Sequence, residues 1–139
     1  MERKPVKISI KSTQHDIENT TAETSYSGHY AYNDGVHLLS YEESDSDSPD
    51  IVVKNLYKIS ERSLYLSKSG AITTKMLFDT EKKHQNVYQT PLGSFPLMLH
   101  TKQINIDASE DTLTVFVNYD LFLNQNFISN CTIEMVIFI

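Results

Sequence analysis

The sequence predicts an all-β fold, a single closed antiparallel up-and-down β-barrel of about eight to ten strands spanning residues 1–139. Three observations predict it. Apolar and polar residues alternate with period two through most of the chain, as half-buried strands require. Turn signals recur about every 8 to 14 residues, the rhythm of sandwiches and barrels. Helical periodicity never lasts beyond one or two turns. Short connections favour an up-and-down order over a Greek key. Closure also removes the edges that would make so many apolar strands prone to aggregate.

Taken in order, Val6, Ile8 and Ile10 alternate with Lys7, Ser9 and Lys11, and Gln14 continues the Val6 face before an exit at Thr13–Asp16. From Thr20 to Tyr32 the residues Ala22, Thr24, Tyr26, Gly28, Tyr30 and Tyr32 share one face. Gly28 inside this strand predicts a bulge or sharp bend. Asn33-Asp34-Gly35 is the strongest hairpin signal, since Asp-Gly suits the primed turns that match strand twist. Val36 to Glu43 returns. The patch Ser44–Asp50 alternates serine and aspartate but lacks the central glycine and final glutamate of a calcium-binding EF-hand loop, so a solvated loop is expected.

Ile51, Val53, Asn55, Tyr57 and Ile59 share the next face; Leu64, Leu66 and Lys68 the one after, with Gly70 at the turn. Ile72, Thr74, Met76 and Phe78 follow, then the polar turn Thr80-Glu81-Lys82-Lys83. Tyr88 and Thr90 lead into the corner Pro91-Leu92-Gly93, where proline fixes φ and glycine tolerates a positive one. Beyond it Phe95, Leu97 and Leu99 alternate, then Ile104 and Ile106 take over with opposite parity. A bulge within His100–Gln103 accounts for that slip. Leu113, Val115, Val117, Tyr119, Leu121 and Leu123 alternate strictly up to a tight turn at Asn124-Gln125-Asn126. The closing strand carries Cys131, Ile133, Met135, Ile137 and Ile139 on one face. From Met135 onward it is apolar on both faces, which predicts a strand covered on both sides or paired centrally.

Composition narrows the function classes. A chain of 139 residues buries about two-thirds of its unfolded surface and needs no staple. The lone Cys131 cannot bridge within the chain and reads as a small buried hydrophobe, which suits a reducing compartment. The polar start Met1–Pro5 lacks a secretory signal and no apolar run reaches 18 residues, so the expected location is cytoplasmic with no membrane partner. A net charge of −6 argues against nucleic acid. Eight tyrosines and six phenylalanines with little basic charge between them read as packing, not as a base-stacking platform.

The order of these motifs resembles the YwiB-like calycin-type β-barrels, a bacterial family of unknown function found largely in Gram-positive organisms. The resemblance covers nearly the whole chain. It rests on Lys7-Ile8-Ser9-Ile10 with Gln14, Gly28-His29-Tyr30 before the Asn-Asp-Gly turn, Tyr41-Glu42-Glu43, Lys58-Ile59 and Lys68-Ser69-Gly70. Met76 with Phe78, the Tyr88/Thr90 approach to Pro91-Leu92-Gly93, and Tyr119-Asp120-Leu121 complete it. It implies a lipocalin-like barrel and carries no catalytic residue. Two departures stand out. Lys68 replaces an arginine, keeping the charge but not the planar fork that grips a carboxylate, and the last hairpin is Asn124-Gln125-Asn126 where glycine is usual.

Polar residues on inward-reading faces are the candidate site. Lys68 follows Leu64 and Leu66, Glu43 shares a face with Leu39 and Tyr41, Asn55 lies between Val53 and Tyr57, and Gln14 follows Ile10. With Tyr88 and Thr90, these make the candidate ligand-binding set Gln14, Tyr41, Glu43, Asn55, Lys68, Tyr88 and Thr90. An interior lysine needs a partner, because an unpaired buried charge costs several kcal/mol, and Glu43 or Glu42 is the natural one. The five histidines show no close ligand pair, and only the fold could bring His29 and His37 together across their hairpin. Phosphate-cradling glycine loops, nucleophile elbows and cysteine–histidine pairs are absent from the sequence. No cofactor, metal or catalytic residue is expected.

The leading expectation is a binding module for a small, partly apolar ligand, anchored by Lys68 and a glutamate. The alternative is a structural or interaction protein, perforce with a filled barrel, that acts through the outward residues Phe116, Phe122, Val136 and Phe138, as a homodimer for example. A hydrolase or isomerase using a Glu/His or Lys/Glu pair has no motif behind it.

Overall fold

A computed structural model describes residues 3–15, 20–45, 48–70, 73–80, 84–90, 93–123 and 125–139. Side chains are described for these residues except 20, 45, 48–51, 84–90 and 93–96. Ten strands follow one another: β1 Lys4–Gln14, β2 Thr20–Asn33, β3 Val36–Asp45, β4 Ser48–Ile59 and β5 Ser63–Gly70. They continue as β6 Thr73–Asp79, β7 His84–Thr90, β8 Gly93–Ala108, β9 Thr112–Leu123 and β10 Asn126–Phe138. Each pairs antiparallel with its sequence neighbours, and β1 also pairs with β10, so the sheet closes on itself. The all-β, up-and-down, closed architecture expected from the sequence is the one observed. The described β6–β7 ladder is short, joining Thr73 to Gln89 and Thr74 to Tyr88.

The barrel is filled by the inward faces that the alternation predicted. Ile8, Leu39, Ile59, Leu64, Phe78, Leu99, Leu113, Met135 and Ile137 are all buried in one cluster. Most of them lie near the end where β1 begins and β10 ends. Toward the other end the inward positions turn polar: Ser12 on β1, Glu43 on β3, Asn55 on β4, Lys68 on β5 and Thr74 on β6. This gradient along the barrel axis is what separates a packed floor from a site.

Several local devices are as expected. Asp34 and Gly35 both have positive φ, 49° and 81°, the left-handed pair of a type I′ hairpin. In β8 the register with β9 shifts between Thr101 and Gln103, which makes Lys102 the extra residue and explains the change of parity. At the last hairpin Gln125 takes φ 68° and Asn126 pairs with Leu123.

Others differ. Gly28 marks no bulge: β2 runs in unbroken register from Val6↔Gly28 on one side to Gly28↔Tyr41 on the other. Glycine stands there because a Cβ would collide with the Ser40 carbonyl oxygen, Ile8 Cδ1 and Tyr41 Cβ. The solvated loop expected at Ser44–Asp50 is shorter, since β3 runs to Asp45 and β4 starts at Ser48, with Asp45 opposite Ser48 after a register shift. Backbone pairing wins there over a composition that favours turns. The closing strand is not covered on both faces: Met135 and Ile137 are buried, but Phe138 and Ile139 are exposed. Its central position comes from closure alone, with β1 on one side and β9 on the other. A second bulge, between Phe127 and Ser129 of β10, was not foreseen; it leaves Ile128 exposed and Ser129 fully buried. The expected features at Asp16, Ile72, Glu81–Lys83, Pro91-Leu92 and Asn124 lie outside the described residues.

Candidate functional site

The polar half of the barrel holds a half-open cavity of about 200 Å³. Ile10, Met76, Phe78 and Ile133 give it apolar surface on the β1, β6 and β10 sides, where Ser12 of β1 also lines it. Tyr26, Tyr41, Tyr57 and the charged pair occupy the β2–β5 side, and Tyr119 of β9 faces them. The period-two alternation puts Tyr41 and Glu43 on one inward face of β3, and Leu66 and Lys68 on that of β5.

Lys68 Nζ lies 3.6 Å from Glu43 Oε2, each side chain about a quarter exposed. Of the two carboxylates that could have balanced the lysine, the fold uses Glu43; Glu42 has the opposite parity and pairs across the wall with Lys54. The other carboxylate oxygen, Oε1, accepts a 2.9 Å hydrogen bond from the Tyr26 hydroxyl. Both oxygens of Glu43 thus face a polar partner beside the apolar wall.

Three tyrosines stack along this wall. The rings of Tyr26 and Tyr41 lie 4.4 Å apart at 19°, and those of Tyr41 and Tyr57 are 5.8 Å apart at 21°. Gly28 makes the stack fit, because the residue opposite Tyr41 in register has no side chain. The Tyr41 and Tyr57 hydroxyls lie 3.1 Å apart. Burial pushes the Tyr41 hydroxyl far above the ordinary tyrosine value, with Tyr57 adding to it. Burial likewise pushes Tyr57 up to about 12, although the hydrogen bond from Tyr41 opposes this. On the far wall Tyr119 is raised by burial and by its contact with Cys131. All three are therefore neutral hydrogen-bonding groups at physiological pH.

Asn55 sits between Tyr41 and Lys68 in register, with Tyr41 on β3 and Lys68 on β5. It is 2% exposed, and neither its Oδ1 nor its Nδ2 has a hydrogen-bond partner among the described residues. On the other side of Lys68 lies buried Thr74.

Of the seven sequence candidates, the structure brings together Tyr41, Glu43 and Lys68 on the cavity wall; Asn55 lies between Tyr41 and Lys68 in register but is not among the lining residues. Gln14 is half-buried beyond Ser12, opposite Cys131 and Thr20, and does not line the cavity. The backbone of Tyr88 pairs with Thr74 and that of Thr90 with Gly93; their side chains lie outside the described residues. Tyr26 and Tyr57 were missed. Each stands at an inward parity, and each carries a hydroxyl that burial obliges to find a partner, which is the signal that could have found them.

His29 and His37 do not meet. His29 faces outward opposite Ser40, whereas His37 turns inward at the barrel end opposite Tyr32 and Ile59. There its Nδ1 lies 2.7 Å from the Tyr30 hydroxyl, and burial lowers its pKa. Among the described residues, no three His, Cys, Asp or Glu side chains cluster as metal ligands, and no helix is long and apolar enough to cross a membrane.

A second polar cluster lies on the outer wall. Asp120 is 9% exposed and accepts from Asn130 Nδ2 at 3.0 Å, and Lys102 Nζ lies 3.2 Å from its other oxygen. Asn118 Nδ2 in turn donates to Asn130 Oδ1 at 3.0 Å. This cluster bridges the bulges of β8 and β10 across β9, and its role is to hold the wall.

Comparison with known proteins supports the barrel and its kinship. The chain is 29% identical over 133 residues to the "Uncharacterized beta-barrel protein YwiB" of Bacillus subtilis (strain 168), covering 93% of this chain and 91% of that protein. The crystal structure of the ywiB protein from Bacillus subtilis superposes with a TM-score of 0.80 at 25% identity, over 96% of this chain and 91% of that one. Residues 8–135, which include every residue lining the cavity, match the family described as "Domain of unknown function (DUF1934)", and the chain belongs to that family.

Proposed function

We propose that this barrel is a binding module that holds a small, partly apolar molecule in its polar half. The observation that carries this reading is the half-buried Lys68–Glu43 pair on the wall of a cavity of about 200 Å³. A filled structural barrel gains little from an ion pair in that position, since apolar residues of similar size would be at least as stable there. A site uses the same pair as a polar anchor opposite an apolar surface. The cavity is smaller than the roughly 300–1,000 Å³ of sites for drug-sized ligands, so the occupant is small. A lipocalin-like, calycin-type use of the barrel fits this arrangement. The buried, unbridged Cys131 suits a cytoplasmic setting.

A second reading is favoured by the outer surface. Phe127, Ile128, Phe138 and Ile139 are exposed, and Phe122 packs edge-on against Phe127. They suit an interaction protein that acts through its outer face, as a homodimer or with another partner.

Native mass spectrometry of protein purified gently from its own host tests the first reading. The expected result is a co-purifying small molecule on the wild type that is lost from Lys68→Ala. A clean apo mass accompanied by a dimer peak moves the function to the outer face.

A further inference from the structure

Resting on that binding reading, we infer that the cavity takes a zwitterion, the chemical class being α-amino acids with an apolar side chain. Lys68 and Glu43 are the only charged residues on the lining, and their charges sum to zero. At 3.6 Å the ammonium and the carboxylate attract each other but stand too far apart for a direct hydrogen bond. Each side chain is only about a quarter exposed, so water solvates neither group fully. Lys68 has three N–H donors, and no hydrogen bond draws on them among the described residues. Glu43 spends one acceptor site on the Tyr26 hydroxyl and keeps others free.

The hydroxyls of the lining are largely spent on one another. Thr24 hydrogen-bonds to Tyr26, the Tyr41 and Tyr57 hydroxyls lie 3.1 Å apart, and Tyr119 hydrogen-bonds to Cys131. One hydrogen of the Tyr41–Tyr57 pair and the exposed Ser12 hydroxyl remain free to donate. A hydroxyl donates to an anion or accepts from a cation equally well, so these groups do not choose the charge of the ligand. The ionic pair does. A lone anion answers Lys68 and is repelled by Glu43; a lone cation does the reverse. A zwitterion answers both with charge-assisted hydrogen bonds and leaves the site neutral. Because Lys68 and Glu43 stand close together, the ligand's opposite charges must be close too. An α-amino acid carries them on neighbouring carbon atoms: its carboxylate goes to Lys68 Nζ and its ammonium to Glu43 Oε2. Its side chain is left to Ile10, Met76, Phe78 and Ile133.

The test is an NMR titration of the full chain, following Met76 and the tyrosine rings, with four probes added separately. They are leucine, isocaproate (leucine without its ammonium), isoamylamine (leucine without its carboxylate) and glucose. Saturable shifts with leucine are expected. Both single-charge analogues should bind more weakly by roughly tenfold or more, the effect of leaving one partly buried charge unpaired, and glucose more weakly still. Two variants move the preference in opposite directions. Lys68→Met leaves Glu43 unopposed, so isoamylamine should then bind more tightly than leucine. Glu43→Gln leaves Lys68 unopposed, so isocaproate should. A merely structural pair would not exchange preferences in this way. Should neither variant fold, the wild-type ranking decides alone. An analogue or glucose that binds the wild type as tightly as leucine, or a folded variant that still prefers leucine, overturns the zwitterion inference and leaves the cavity reading standing. Saturable shifts with none of the probes at millimolar concentration overturn the inference as well, and together with a clean apo mass from the host they overturn the cavity reading.

Discussion

Asn55 is held in a place where its amide is a liability to the empty fold. A buried donor or acceptor with no partner costs about 1–3 kcal/mol, and both polar atoms of Asn55 stand in that condition among the described residues. Leucine has a similar length and no polar atoms to desolvate. Asn55→Leu is therefore expected to stabilise the protein by about 1 kcal/mol, read as a higher urea midpoint at unchanged slope. A loss of stability would mean that the amide is satisfied in solution, and would return Asn55 to a structural role. Nearby Gly28 shows the opposite economy. Its missing Cβ leaves room for Ile8 and Tyr41, so the residue that looked like a bend in the strand is a packing device for the aromatic stack.

At the scale of elements, β9 is the straight rail against which two bulged strands are fitted. The Lys102 bulge of β8 and the Ile128 bulge of β10 flank its final third, and Asp120 lies between them, bonded to both sides. Removing this carboxylate takes from Asn130 Nδ2 its shortest acceptor, leaving the longer contacts to Asn118 Oδ1 at 3.4 Å and the Tyr119 carbonyl at 3.5 Å, and breaks the ion pair with Lys102. The Lys102 contact is half-exposed and worth little. The bond to Asn130 is nearly buried, so Asp120→Ala is expected to cost about 1–3 kcal/mol, with hydrogen exchange accelerated first in β8 and β10 beside the bulges. A variant within about 0.5 kcal/mol of wild type would show that the bulges hold without it.

These elements also show how much the sequence disclosed. The β8 bulge was legible because a change of parity from Leu99 to Ile104 demands an extra residue. The β10 bulge was not, since Ile128 and Ser129 carry no parity conflict strong enough to outweigh the regular Cys131–Ile137 face. The same limit applies to the site. Parity placed Tyr41, Glu43, Asn55 and Lys68 on inward faces, because strands alternate regardless of what they bind. It could not say how far along the barrel each one lies. That depth depends on strand stagger, which placed Gln14 beyond the cavity and brought Tyr26 and Tyr57 into it.

For the whole molecule, closure buries tyrosines and a histidine whose ionisation the fold resists, and this fixes the pH range in which the barrel is stable. Tyr41, Tyr57 and Tyr119 all have pKa values raised above 10, with burial the largest cause. Between the ordinary tyrosine value and these raised ones, the unfolded chain gives up protons that the folded barrel retains. Stability is therefore fully present below about pH 10 and falls as pH rises beyond it. On the acid side His37 has a lowered pKa, again through burial. Below about pH 6.5 the unfolded chain takes up a proton that the folded one declines, so stability falls as pH falls. In the protonated ring Nδ1 is a donor, so the Tyr30 hydroxyl must then accept from it. The expected profile is a plateau between these limits. On alkaline titration, the tyrosinate absorbance of the three buried residues should appear together with the loss of β-sheet circular dichroism, in one cooperative step. His37→Gln should flatten the acid limb and leave the alkaline limb in place. If all the tyrosines ionise near pH 10 while the dichroism stays intact, water reaches Tyr41, Tyr57 and Tyr119 in the native barrel, and the enclosed tyrosine wall would have to be given up.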